Sequence, residues 1–123
     1  DDNIHFFGFT DNMNHYYTAS DLVVCRAGAL TLSELSIYNK ASILIPFPFA
    51  AHDHQLKNAQ YYKSNKAAEI VEQKFLKDGL LEEKVRKIYN NQDILESMQQ
   101  NSALLSKPEA SKKIVAEILK VIK

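Results

Sequence analysis

Apolar residues along this chain come first as short unbroken runs and then, beyond Val71, at helical spacing. The runs mark four strand candidates, Ile4–Phe9, Asp21–Cys25, Ser42–Phe47 and Ala67–Val71. The second and third read as continuous apolar runs, as strands buried on both faces of a parallel sheet do. Helix candidates alternate with them: Asp11–Ala19, with Asp11 placed as its cap, Thr31–Asn39, and Gln55–Asn65 after a long loop. Strand–helix–strand alternation with short connections predicts an α/β fold built on a parallel sheet with right-handed crossovers.

After Val71 the period changes. Leu81, Val85, Ile88 and Tyr89 mark one helix, and Ile94, Leu95, Met98 and Leu105 another, with Asp93 as its expected cap. Ser106 and Pro108 open a last helix, proline standing in the first turn where its missing N–H costs nothing. Ile114, Ile118 and Val121 form its apolar stripe. These late helices are expected to pack on the sheet or on a neighbouring part of a longer protein. There is no internal repeat and no low-complexity tract.

The segment richest in chemistry is Cys25-Arg26-Ala27-Gly28-Ala29-Leu30-Thr31-Leu32-Ser33-Glu34. A small-residue turn between a buried strand and a helix exposes backbone N–H groups at the positive end of the helix dipole, where a phosphate binds. Glu34 lies about one turn further in, placed to accept hydrogen bonds from a pair of sugar or ribose hydroxyls. Two structural readings stand beside that one. Thr31-x-x-Glu34 is also a capping box, which satisfies helix donors without a ligand. Gly28 is also the residue a tight turn with positive φ would use.

A second loop, Pro46 to Gln55, follows the third strand. Ligands of open α/β sheets bind at the carboxyl ends of strands, so both loops are expected to face one crevice. Gln55 is placed to donate to and accept from sugar hydroxyls, and Asn58, one turn on, to brace the loop. His52-x-His54 with Asp53 lacks a third ligand at a usual spacing, so no metal site is expected. A general-base role for His52 or His54 stays open on pKa grounds, with no partner fixed. His5 and His15 are read as structural or solvent-facing, and Phe6, Phe7 and Phe9 as core or strand-edge residues. Tyr61 and Tyr62 sit on a helix, packed or facing a partner.

Composition narrows the picture. A chain of 123 residues is at most one domain, and a hydrophobic fraction of 46% with 24% charged residues suits a packed core. Fifteen Lys and Arg balance fifteen Asp and Glu, which argues against a nucleic-acid partner held by bulk charge. Residues 1–62 carry three basic and six acidic side chains and residues 63–123 twelve and nine, a basic excess read as solvated helix faces. Cys25 is the only cysteine, so no internal disulfide forms and a reducing compartment is expected. Ending an apolar run, it reads as a small buried hydrophobe rather than a nucleophile. The apolar runs are too short to span a bilayer, and no signal peptide is visible. A chain opening at Asp1-Asp2-Asn3 without an initiator Met is expected to be a piece of a longer protein.

The stretch from Ala19 through Asp21, Cys25 and Gly28 to Glu34 resembles the donor-site motif of the MurG family. Its members are UDP-N-acetylglucosamine (UDP-GlcNAc) transferases that convert lipid I to lipid II in peptidoglycan synthesis, and so serve cell-wall growth, shape and division. His54-Gln55-x-x-Asn58-Ala59 matches at the expected distance and order, as does Gly8-Phe9-Thr10-Asp11-Asn12-Met13 upstream. The resemblance runs from about Ile4 to Gln73 and more loosely through the last helices.

It implies two Rossmann-like domains in the GT-B arrangement, with this chain a partial carboxy-terminal, UDP-sugar-binding domain that lacks the acceptor domain and its own first strands. Ala29, Leu30 and Thr31, with Gly28 beside them, would contact the diphosphate and nucleotide, and Glu34 the ribose. Gln55 and His54 would contact the GlcNAc, and Thr10, next to Phe9, would flank the uracil. The match departs at His54, where members carry Gln. The resemblance further implies an inverting displacement without a covalent intermediate, no cofactor, and no base identified in this chain. Lipid I and the membrane would be reached through the missing domain, in a cytoplasmic enzyme peripheral to the inner face of the bacterial plasma membrane. The missing first strand would leave a sheet edge free to pair with another chain or the rest of the protein. This piece alone is expected to have no transferase activity. Three alternatives stand: a UDP-GlcNAc epimerase, whose catalytic carboxylates and histidines find no place here; a stand-alone UDP-GlcNAc-binding subunit of a lipid-linked GlcNAc transferase, which the short length favours; and a non-enzymatic flavodoxin-like module.

Overall fold

The computed structural model describes residues 13–50 and 53–106. The elements run α1 (Met13–Ala19), β1 (Leu22–Cys25), α2 (Ala29–Ile37), β2 (Ala41–Leu44), α3 (His54–Ser64), β3 (Ala68–Ile70), a 3-10 helix (Gln73–Asp78), α4 (Leu80–Tyr89) and α5 (Gln92–Leu104). The three strands are parallel in the order β1-β2-β3, with Val23 opposite Ser42 and Leu44 opposite Ile70. This is the expected α/β arrangement.

Side-chain alternation splits the core in two. Val23, Cys25, Leu44, Ala68 and Ile70 face α2 and α3, packing with Leu32, Leu35, Ala59 and Tyr62. Leu22, Ala41, Ile43 and Val71 face the other way, onto Ile88, Leu95 and Met98 of α4 and α5. All four residues of β2 are buried, which is why it reads as an unbroken run. The fully buried Ile43 and Leu44 contribute about 2–3 kcal/mol each in removed apolar surface.

Several element ends differ from expectation, each for a local reason. α2 begins at Ala29 because Leu32 N–H donates to Gly28 O at 3.0 Å. Thr31 therefore stands inside the first turn, and there is no Thr31–Glu34 capping box: the cap is Gly28, with no side-chain bond. Gly28 is extended, φ −67° and ψ 147°, so the turn does not use a left-handed glycine. β2 is shorter than Ser42–Phe47 because the chain leaves the ladder ahead of Pro46, which has no N–H to donate. α5 is capped by Asn91, whose Oδ1 accepts from Ile94 N–H at 3.3 Å. Asp93 instead lies in the first turn, where its charge suits the helix dipole. The 3-10 helix escaped prediction because QKFLKD is too short for a period; it ends at Gly79, whose φ of 76° suits glycine.

α5 passes beneath the amino ends of the strands. Gln99 Nε2 donates to Asp21 O at 3.2 Å, and Asn101 Nδ2 to Lys66 O at 3.2 Å. Ser102 Oγ donates to Leu35 O at 3.4 Å. That end is closed, and the carboxyl ends of the strands carry the loops.

Among the described residues β1 pairs on one side only. The expected strand Ile4–Phe9, the Asp11 cap, His5, Phe6, Phe7 and the helix opening near Pro108 lie outside the described residues. No described helix is long and apolar enough to cross a membrane. His15 and Tyr61 are exposed, whereas Tyr62 is buried.

Candidate functional site

Three loops meet at the carboxyl ends of the strands, and α3 ties two of them together. Gln55 Oε1 accepts from Phe47 N–H at 2.8 Å and from Ala27 N–H at 3.2 Å. Asn58 Nδ2 donates to Ala27 O at 3.1 Å. Both backbone groups of the buried Ala27 are thus satisfied by side chains from one helix, as a loop enclosed by protein requires. Asn58 braces the loop as expected. Gln55 braces it too, a role its sequence context did not reveal, and with Oε1 engaged by two backbone donors its Nε2 is the group left to face a ligand. Arg26 adds a third tie: Nη1 donates to Ile45 O at 3.3 Å, and the guanidinium lies 5.6 Å from the centre of the Phe47 ring.

This bracing fixes the amino terminus of α2. The N–H groups of Ala29, Leu30 and Thr31 lie ahead of the first intrahelical bond and receive no side-chain cap. Ala29 and Leu30 are exposed, Leu30 at 75%. A side chain on Gly28 would meet only Gln55 Nε2, at 3.9 Å. Neither backbone conformation nor packing demands glycine there; its effect is to leave the turn bare on the side facing Gln55.

Glu34 sits one turn into α2, half-buried. The Tyr17 hydroxyl of α1 lies near its carboxylate, and Tyr17 itself is buried and stacked on Tyr38 with ring centres 5.4 Å apart. Burial first, and then the Glu34 carboxylate, push the Tyr17 hydroxyl up to about 12. It therefore stays protonated at neutral pH. Sequence reasoning missed Tyr17, since the adjacent Tyr16 and Tyr17 in a seven-residue helix carry no periodic signal.

His54 is the exposed first residue of α3, following Asp53, which adopts the left-handed region at φ 55°. Thr10 and His52 lie outside the described residues. Burial pushes the Cys25 thiol up to about 11, so it is neutral and packs as an apolar group. Beside the α2 terminus an open cavity of about 850 Å3 runs between Arg26, Phe47, Phe49, Leu56, Glu72 and Lys77. Among the described residues no three of His, Cys, Asp and Glu gather as a metal site would need.

A parallel sheet closed at its amino ends, with an uncapped helix terminus and a carboxylate one turn in at the other, defines an open α/β domain with its loops gathered at the carboxyl ends of the strands. The chain belongs to the glycosyltransferase family 28 C-terminal domain family, which matches residues 1–114. It is 44% identical over 106 residues to the UDP-N-acetylglucosamine–N-acetylmuramyl-(pentapeptide) pyrophosphoryl-undecaprenol N-acetylglucosamine transferase of Myxococcus xanthus. That match covers 86% of this chain and 28% of the relative. The Finegoldia magna protein of the same name is 34% identical over 120 residues, covering 98% of this chain and 32% of its own length. Among solved structures, Acinetobacter baumannii MurG superposes with a TM-score of 0.75 at 31% identity, covering 93% of this chain and 33% of that one. The chain thus spans about a third of the length of these relatives, and the fold is that of part of a GT-B glycosyltransferase.

Proposed function

We propose that this chain is the donor-binding part of an enzyme that transfers GlcNAc from UDP-GlcNAc to lipid I, giving lipid II for peptidoglycan. The observation that carries the reading is the amino terminus of α2: three uncapped N–H groups, a bare Gly28, and the half-buried Glu34 one turn further in. The names of the transferases it resembles, at 34% to 44% identity, support the same donor and acceptor.

In this reading the N–H groups of Ala29, Leu30 and Thr31 take the diphosphate and Glu34 takes the ribose hydroxyls. Gln55, through Nε2, and His54 face the GlcNAc, and Thr10 flanks the uracil. Transfer breaks the bond between the sugar's anomeric carbon and the UDP oxygen, so negative charge grows on the departing diphosphate. Fixed N–H donors at a helix terminus stabilise that charge without having to reorganise. The attacking hydroxyl belongs to the acceptor, which the remaining two thirds of the enzyme would bind at the membrane's cytoplasmic face.

The test is GlcNAc transfer to a lipid I analogue by the full-length protein. Glu34→Ala should lower kcat/KM by roughly a hundredfold or more, as loss of a bidentate, charge-assisted contact does. Wild-type turnover of lipid I that Glu34→Ala leaves untouched would contradict the assignment of the site.

A further inference from the structure

Three polar side chains of α3, Gln55, Asn58 and Tyr62, stand at i, i+3 and i+7, so one face of the helix carries all of them. That face meets the junction of β1 and α2. Gln55 Oε1 accepts from Ala27 N–H at 3.2 Å, and Asn58 Nδ2 donates to Ala27 O at 3.1 Å. The third contact lies beyond the loop, in the helix: Tyr62 Oη donates to Leu32 O at 2.8 Å. Ala59, between them and fully buried, adds no bulk that would hold the helices apart.

The direction of the Tyr62 bond is fixed. Leu32 O can only accept, so the single phenol proton goes to it, and the Ser36 hydroxyl, 2.5 Å from Tyr62 Oη, donates to Tyr62 in turn. Burial pushes the Tyr62 hydroxyl above its ordinary value, which keeps that proton in place. Leu32, Ser36 and Tyr62 are all buried, so water does not compete for these bonds. Leu32 is also the residue whose N–H closes the first turn of α2 on Gly28 O, at 3.0 Å. Its amide thus holds the turn while its carbonyl is held by α3. Apolar packing is non-directional and lets one helix rotate or slide on another, whereas a hydrogen bond to a main-chain atom fixes both.

We propose that Tyr62 is a positioning residue for the donor site: through Leu32 O it sets how the first turn of α2 sits, and with it where the free N–H groups of Ala29, Leu30 and Thr31 point. This rests on the donor reading given above. Gln55 and Asn58 hold the loop ahead of the helix, and Tyr62 holds the helix itself. Donors held in place stabilise the charge of a diphosphate without reorganising, so a first turn free to shift binds it less well.

The test is calorimetric titration of UDP into the full-length protein and two variants, with thermal denaturation of each. Tyr62→Phe keeps the ring but frees Leu32 O from α3, whereas Ser36→Ala leaves that bond in place. Both variants lose the Ser36–Tyr62 hydrogen bond, so a merely structural role would show alike in the two. UDP should bind Tyr62→Phe about fivefold more weakly than wild type, the worth of one net hydrogen bond, and Ser36→Ala within about twofold of wild type. The melting temperatures of both should fall by a few degrees. An unchanged UDP affinity in Tyr62→Phe, or an equal loss in the two variants, would overturn the proposal. Should the folded wild-type protein not bind UDP at all, the donor reading fails and the proposal with it.

Discussion

The Tyr17 hydroxyl, buried under α2, lies near the carboxylate of Glu34, so orientation and charge at this position can be tested apart. Tyr17→Phe keeps the ring and its stacking on Tyr38 but removes the hydroxyl. It should weaken UDP-GlcNAc binding by about fivefold, the worth of a polar contact of about 1 kcal/mol, while the fold survives; calorimetry reads the first and thermal denaturation the second. Gly28→Ala separates site from fold in another way. The backbone there is ordinary and a Cβ finds room, so the melting temperature should move by no more than a few degrees. The ligand-facing side of the turn is narrowed, and affinity should fall. Titration gives a further expectation. Burial raises Cys25 from 9.0 to about 11, and burial with the Glu34 carboxylate raises Tyr17 from 10.0 to about 12. Both groups bind their protons more tightly folded than unfolded, so the stability they contribute is complete below pH 9 and is lost as pH rises to about 12. Denaturant midpoints measured from pH 8 to 12 should fall across that window, less steeply in Tyr17→Phe.

At the scale of elements, strands and helices were legible wherever burial produced a period. β2 is buried throughout and reads as an apolar run, and the α4 stripe of Leu81, Val85 and Ile88 follows from packing on one side of the sheet. Ends were less legible because they turn on single hydrogen bonds. Asn91 beat Asp93 to the α5 cap through one bond to Ile94, and Gly28 caps α2 with its carbonyl alone, which no side chain in the sequence announces. The candidate site was half legible. The residues at the α2 terminus and on α3 stood out as a motif, but the bracing by Gln55 and the placing of Tyr17 near Glu34 bring together elements distant in sequence. β2 also carries a position the fold does not favour. Ser42 Oγ is buried without a hydrogen-bond partner among the described residues. Ser42→Ala removes that stranded hydroxyl and should leave stability unchanged or raise it by about 1 kcal/mol, as chemical denaturation would record.

Over the whole molecule, the domain is organised by polarity of direction. α5 closes the amino ends of the strands through Gln99, Asn101 and Ser102, and the opposite end is left to Arg26, Gln55 and the terminus of α2. A parallel sheet imposes this, since all its carboxyl ends lie together. The chain spans about a third of the length of its relatives. The donor site is the claim these residues carry by themselves. It is tested most directly by calorimetric titration of UDP-GlcNAc, against UDP-glucose, into the full-length protein and its folded Glu34→Ala variant. Saturable binding that prefers UDP-GlcNAc and disappears in Glu34→Ala is the predicted result. Binding that Glu34→Ala leaves intact, or none by the folded wild-type protein, would contradict the donor site described above.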